Sequence, residues 1–307
     1  MNLSDWHEFD QATIERHHLE GILFAAQVIN KSDERYLQLF RTWSSQWHYN
    51  QLLLNCLKEL DDACEVENLE CVLLKGAGLL LRYYPDLGAR KISDIDLLIE
   101  HKNRARFEKI FQSLGFVNVA EPAWWGDGHK STWEKRVAGE CLVLELHWQL
   151  FYGNRMNWQE DRMECLQQFR QIKLLRPELE FCYLVAHYAT QHNFQKLYWL
   201  YDLHLYVQKE KLDWNLVNQL AGQLGVKRAV QMVLFLLHQE FGMEVTGGFR
   251  PAWWQRILSR AVYIEGKRSF AYWSLKHLSK DSLGLAFTYD FLWFFHQVKK
   301  RFYNVEK

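Results

Sequence analysis

Between residues 5 and 70 the apolar positions recur at helical spacing. Leu52, Leu53, Cys56, Leu57 and Leu60 fall three and four residues apart and share one face. The texture changes at Cys71. Cys71-Val72-Leu73-Leu74 is an unbroken apolar run ending at Lys75-Gly76, which predicts a buried strand with a glycine at its exit. Residues 77–84 then fit a short helix stopped by Pro85. Ile95, Leu97, Leu98 and Ile99 predict a second strand. Phe107, Ile110, Phe111 and Leu114 predict a helix closed by Gly115, and residues 116–119 a third strand. Residues 131–137 and 141–148 read as a hairpin turned at Ala138-Gly139.

From about residue 178 the pattern is helical again, over 179–191, 197–208, 214–224 and 226–241, with short polar or glycine breaks. Gly247-Gly248 and Pro251 mark a further joint. Residues 281–303 predict an aromatic-rich helix. Its stripe of Phe287, Phe291, Phe294 and Phe295 precedes Lys299-Lys300-Arg301. That fits a core helix with a solvated basic end, and it also fits an amphipathic helix lying on a membrane surface. The expected fold class is α+β: an N-terminal helical segment over 1–67, a small mixed-sheet core over 68–150, and a larger helical region over 151–307.

Composition narrows the classes. Of 307 residues, 49% are hydrophobic and 24% charged, which is ordinary for a globular protein and excludes a disordered or fibrous chain. Lys and Arg number 37, as do Asp and Glu, so the basic excess of a protein gripping long nucleic acid through its phosphates is missing. Cys56, Cys64, Cys71, Cys141, Cys165 and Cys182 show no CxxC spacing, so reduced, mostly buried thiols and a cytoplasmic location are expected. The first ten residues lack a basic region and an apolar region, so no secretory signal is expected. No run of 18 apolar residues predicts a membrane span.

The chemistry concentrates at Lys75-Gly76, Arg90 and Asp94-Ile95-Asp96. Alternation along a strand puts Asp94 and Asp96 on one face, roughly 7 Å apart, with Ile95 and Leu97 on the other. Paired carboxylates repel unless a cation sits between them. Magnesium takes oxygen ligands and keeps positions open for phosphate oxygens. Two such ions about 3.5–4 Å apart activate an attacking oxygen and neutralise a leaving pyrophosphate. Leu144-Glu145-Leu146-His147-Trp148 offers a third acid, with Glu145 and His147 sharing a face. Glu145 lies between leucines, where an unpaired charge is costly and a metal shared with Asp94 and Asp96 would relieve it. Gly76 at a strand exit lets phosphate approach the amides of a helix start, or it merely ends the strand. Arg90 is placed to clamp a triphosphate, or to pair with Asp86 or Asp94.

Other candidates are less pointed. His187 and His192 lie five apart on a predicted helix, about 140° from a common face, and so make poor partners for one metal. Asp202 follows on the next helix and could meet one of them, as a hydrogen-bonded cluster or as part of an acceptor-side cleft. Trp124-Trp125-Gly126-Asp127-Gly128-His129 reads as a loop whose aromatics either stack on a base or cap the core.

Leu74-Lys75-Gly76, Tyr84-Pro85, Arg90, Asp94-Ile95-Asp96-Leu97-Leu98, Leu114-Gly115-Phe116 and Glu145-Leu146-His147-Trp148 resemble the uncharacterised nucleotidyltransferase family of the polymerase-beta-like superfamily. The resemblance continues through Leu184, His187, His192, Tyr201-Asp202-Leu203, Asp213-Trp214 and Leu224-Gly225, and covers about residues 68–242. It implies a nucleotidyltransferase core over 68–150 and an acceptor-binding side in the helical region. It also implies two magnesium (or manganese) ions on Asp94, Asp96 and Glu145, and a nucleoside triphosphate donor held by Lys75, Gly76, Ala77 and Arg90. His147, His187, His192 and Asp202 would line the acceptor side. The acceptor, bearing a hydroxyl, would be a small molecule, sugar, peptide, protein or RNA end. Gly76-Ala77 stands where the broader superfamily carries Gly-Ser or Gly-Gly. That departure supports a second reading, a degenerate transferase fold that binds a nucleotide or a partner without turnover.

Overall fold

The computed structural model describes residues 3–119, 130–150, 163–166, 168–244, 250, 252–259, 270–281, 284 and 291. The Trp124-to-His129 segment and the Gly247-Gly248 and Pro251 joint lie outside these residues, as does the predicted C-terminal helix beyond Asp281 except for two isolated positions. Contacts divide the chain into two compact units, Met1–Glu180 with His204–Lys211, and Phe181–Leu203 with Leu212–Lys307.

The first unit opens with a 3-10 turn over Leu3–Glu8, then α1 (Gln11–His17), α2 (Glu20–Ala25) and α3 (Tyr36–Val66). Asp10 caps α1 by accepting from the Thr13 amide at 2.7 Å. The apolar face read from the sequence is the buried face of α3, where Leu53, Cys56, Leu57, Leu60 and Cys64 are all nearly inaccessible. It covers a sheet made of β1 (Cys71–Leu74), β2 (Ile95–Leu98), β3 (Val117–Val119), β4 (Lys130–Val137), β5 (Glu140–His147), β6 (Met163–Cys165) and β7 (Ile172–Leu175). Strands run in the order β3-β4-β5-β2-β1-β7-β6. The β1–β7 and β2–β5 pairs are parallel and the rest antiparallel, so the sheet is mixed. α4 (Gly76–Tyr83) follows β1, and α5 (Arg104–Ser113) packs Phe107, Ile110 and Phe111 into the same core.

The predicted hairpin is present, with Ala138 and Gly139 both at positive φ (51° and 88°), the tight turn whose twist matches the strands. The sheet exceeds the expected one by β6 and β7. Ile172-Lys173-Leu174-Leu175 is apolar at three of four positions and buried where it pairs in parallel with β1. A run of four residues carries too little periodicity to separate strand from helix.

Asp61 fastens that strand. Its carboxylate projects from α3 and accepts from the backbone amides of Arg170 at 2.9 Å, Gln171 at 2.8 Å and Ile172 at 3.0 Å. A buried pair secures α4: Arg82 donates to both Glu180 oxygens at 2.7 Å beneath the Tyr206 ring. Glu180 opens α6 (Pro177–Thr190), which passes into the second unit, and α7 (Leu197–Lys209) passes from the second unit to the first.

The second unit otherwise holds α8 (Trp214–Leu224), α9 (Lys227–Phe241), α10 (Trp253–Leu258) and α11 (Phe270–Leu278). Asp213 caps α8 through the amides of Asn215 and Leu216, and Gly225 ends it in the left-handed conformation. No helix among the described residues is long and apolar enough to cross a membrane. All six cysteines are free thiols; Cys165 is exposed, Cys141 half-buried and the others buried.

Replacing Asp61 by Ala leaves three backbone amides without their acceptor. Asp61→Ala is expected to lose about 3 kcal/mol of stability and Asp61→Asn less, read as a lowered urea midpoint with an unchanged slope.

Candidate active site

β1 delivers the chain to Lys75, which holds φ 55° and ψ −130° immediately before α4. A residue with a side chain is strained at that φ. Leu74 pairs with Asp96 in the antiparallel β1–β2 register, and the Lys75 ammonium reaches Asp96 Oδ1 at 2.7 Å.

The parallel β2–β5 register sets Asp96 opposite Glu145, so both carboxylates rise from the same sheet face while Ile95, Leu97, Leu144 and Leu146 fill the core on the other. His147, two residues beyond Glu145, shares that face. Its Nε2 lies 2.9 Å from Asp96 Oδ1 and 3.3 Å from Glu145 Oε2. Lys130, opposite His147 on β4, donates to Glu145 Oε1 at 2.5 Å. Asp96 and His147 are buried and Glu145 is partly open. Asp94 stands one residue before β2 and accepts from Ser93 Oγ at 2.9 Å.

These contacts push the acids in opposite directions. Burial alone would raise the Asp96 carboxyl. Lys75 and His147 outweigh it and hold the group far below the ordinary carboxylate range. Glu145 behaves likewise: burial and Asp96 raise it, and the His147 bond together with Lys130 brings it below its usual value. Asp94 is raised, first by burial and then by the negative charges of Asp96 and Glu145. Burial opposes charge on His147, but its bonds to Asp96 and Glu145 raise it on balance. Asp94 is therefore the one of these three acids held above its ordinary value, chiefly by burial.

One ligand atom from each of Asp96, Glu145 and His147 lies within 4.8 Å of the other two, the one such convergence of His, Cys, Asp or Glu among the described residues. Two carboxylate oxygens and one imidazole nitrogen gathered at that spacing suit a divalent ion. Asp96 and Glu145 therefore fit the metal that the sequence implied, His147 joins them, and Asp94 is not among the three converging residues.

The phosphate-side candidates lie close by. A Cβ on Gly76 would come within 2.5 Å of Arg90 Nη1, so only glycine lets the guanidinium lie against the start of α4. Arg90 is 5% exposed and donates to the Lys91 carbonyl at 3.1 Å. The Ala77 methyl is buried in the hydrophobic core, so its backbone and not its side chain is what it offers to the site. Asp86, one of the partners considered for Arg90, accepts from Trp43 Nε1 and the Gly88 amide, both at 2.8 Å.

Sequence reasoning missed what holds Arg90. Asn50, buried on α3, donates from Nδ2 to the carbonyls of Leu87 at 2.6 Å and Arg90 at 2.8 Å. Gly88 lies so close to Trp43 that a Cβ would meet its ring nitrogen at 2.4 Å, and Gly21 of α2 approaches the Gly88 carbonyl within 2.3 Å of its own would-be Cβ. The early helices therefore support the Arg90 loop. Lys130 was also missed, because it reaches Glu145 only through the β4–β5 register that sets Thr132 opposite Glu145.

The expectation for His187 and His192 needs correcting. α6 ends at Thr190, and Asn193 and Phe194 take positive φ, so the chain turns back. The two rings meet with centroids 4.5 Å apart, and His192 stacks on Trp199 at 3.4 Å. Helical phase does not apply beyond the helix end. Asp202 is buried on α7.

Loss of the Lys75 charge tests the electrostatics. Asp96 ionises more readily folded than unfolded, so its contribution is present above the unfolded carboxylate value of about 3.9 and is lost as pH falls through the lower folded value. Lys75→Met raises the folded value and shrinks that contribution. Without added metal, this variant is expected to lose about 3 kcal/mol at pH 7 and to unfold at a higher pH than the parent in an acid titration followed by circular dichroism.

The family model that matches this chain describes an uncharacterised nucleotidyltransferase and spans residues 2–242. Comparison with curated proteins gives no match. Similar solved structures include ANT(2'')-Ia in complex with adenylyl-2''-tobramycin, at 15% identity over 56% of this chain and 95% of that one, with a TM-score of 0.40. An antigenic nucleotidyltransferase-like protein from Paracoccidioides brasiliensis is 17% identical over 69% and 93%, with a TM-score of 0.41. A solution structure of ANT(2'')-Ia is 13% identical over 63% and 95%, with a TM-score of 0.34.

Proposed function

The chain belongs to the uncharacterised nucleotidyltransferase family and is a nucleotidyltransferase, and on that premise we propose a metal-dependent transfer of a nucleoside monophosphate from a nucleoside triphosphate to a hydroxyl-type acceptor, with release of pyrophosphate. The observation that carries this reading is the buried convergence of Asp96 and Glu145 on adjacent strands, with Asp94 beside them held above its ordinary value.

Asp94, Asp96 and Glu145 would hold magnesium or manganese, two ions in all. A divalent cation there supplies Lewis-acid neutralisation of phosphate charge and lowers the pKa of a bound hydroxyl. Lys75 balances Asp96 in the resting chain and would turn toward phosphate once that carboxylate is otherwise neutralised. Gly76 opens the start of α4, where backbone amides at a helix N-terminus favour an anion. Arg90, fixed by Asn50, adds a planar donor against the same turn.

Glu145, held in its ionised form, accepts the proton of the acceptor hydroxyl. The acceptor oxygen then bonds to the α-phosphorus, the bond from that phosphorus to the bridging oxygen breaks, and pyrophosphate leaves with the electron pair. The sheet, which extends past the expected 68–150 to include β6 and β7, serves the donor, and the helices that follow it select the acceptor. His187, His192 and Asp202 belong to that acceptor side. The acceptor is a small molecule, sugar, peptide, protein or RNA end, and the free thiols support a cytoplasmic setting.

Pyrophosphate release from each nucleoside triphosphate with magnesium and a panel of hydroxyl acceptors tests this directly. The Asp94→Asn/Asp96→Asn double variant is expected to keep its circular dichroism spectrum and to lose about 1,000-fold in turnover. Full activity in that variant would refute the carboxylate assignment. Magnesium-independent nucleotide binding without turnover for any acceptor would favour the degenerate, binding-only reading.

A further inference from the structure

We propose that His147 binds the metal directly through Nε2, which makes the centre a mixed nitrogen and oxygen site that prefers manganese to magnesium. This rests on the metal-dependent reading above and adds to it the nature of the donor set.

One ring nitrogen faces both acids. His147 Nε2 is 2.9 Å from Asp96 Oδ1 and 3.3 Å from Glu145 Oε2. Ligands at right angles on an octahedral ion with bonds near 2.1 Å are about 3 Å apart, so these separations match neighbouring positions around one metal. His147 is 6% exposed, and its backbone is held by pairing with Lys130 and by the Ile99 amide, which donates to the His147 carbonyl at 2.8 Å. The ring is therefore carried on a rigid strand and not on a loop that could swing it elsewhere.

A second observation points to a cation at the same place. The Lys75 ammonium already sits 2.7 Å from the oxygen that Nε2 approaches, so Asp96 Oδ1 is the point where positive charge collects. Sites made only of carboxylates suit magnesium, which dehydrates reluctantly and prefers oxygen. An imidazole shifts preference toward first-row transition metals, and manganese tolerates both donor types. The competing account is that His147 only hydrogen-bonds to Asp96 and orients it from outside the coordination sphere.

The test uses the full chain with Mn2+ and inorganic tripolyphosphate, a phosphate probe that contains no nitrogen. Pulsed electron paramagnetic resonance of bound Mn2+ is expected to show coupling to one 14N nucleus, replaced by a 15N pattern when the chain is grown with 15N-histidine. His147→Gln is expected to abolish the coupling, weaken Mn2+ binding and narrow the preference over magnesium. Mn2+ bound without histidine coupling, coupling that persists in His147→Gln, or unchanged Mn2+ affinity in that variant each overturns the proposal while leaving the carboxylate site standing. If the wild-type chain shows no saturable Mn2+ binding, the metal-dependent reading falls as well. The labelled wild-type experiment needs no variant and decides the question even if His147→Gln fails to fold.

Discussion

Two carboxylates set side by side on a buried sheet face repel each other through a medium far less polarisable than water, and something positive must stand between them. The β2–β5 register forces that situation on Asp96 and Glu145. The resting chain meets it with its own cations: Lys75 on Asp96, Lys130 on Glu145, and His147 between the two. The compensation is uneven. It drives Asp96 far down and leaves Asp94 raised, which separates two acids only two residues apart. A site charged in this way has room for further positive charge, and the metal dependence we propose rests on that imbalance.

The surrounding architecture keeps the arrangement from relaxing. Lys75 leaves β1 at a strained backbone angle, and from there its side chain reaches Asp96. Arg90 reaches Gly76 because its loop is tied down by Asn50 and Trp43 of α3, with Gly21 of α2 packed beneath it. The N-terminal helices thus do more than cover the sheet: they fix the donor that faces the start of α4. Asp61 does the same on the far side of β1, where it sets β7 in place.

What the sequence disclosed follows from periodicity. That Asp96, Glu145 and His147 share a sheet face was legible because alternation on a strand assigns faces without knowledge of partners, whereas Asp94 lies one residue before β2. The apolar stripes gave the helices and the hairpin for the same reason. Contacts that depend on register were not legible. Lys130 meets Glu145 only because β4 pairs with β5 at one particular offset, and Asn50 meets the Arg90 loop across 40 residues of chain. His187 and His192 illustrate the opposite error, in which helical phase was carried past a helix end. No glycine or proline marks that end; Asn193 and Phe194 make the turn themselves. β7 escaped because four residues show no period of their own.

The position of a bound divalent cation is the decisive quantity. Crystals soaked in Mn2+ with a non-hydrolysable triphosphate and measured at the manganese absorption edge give the answer by anomalous scattering. A peak bounded by Asp96 and Glu145, with the Lys75 ammonium moved off Asp96 Oδ1, is the predicted result. A map with Lys75 still paired to Asp96 and no manganese peak at those carboxylates would contradict it.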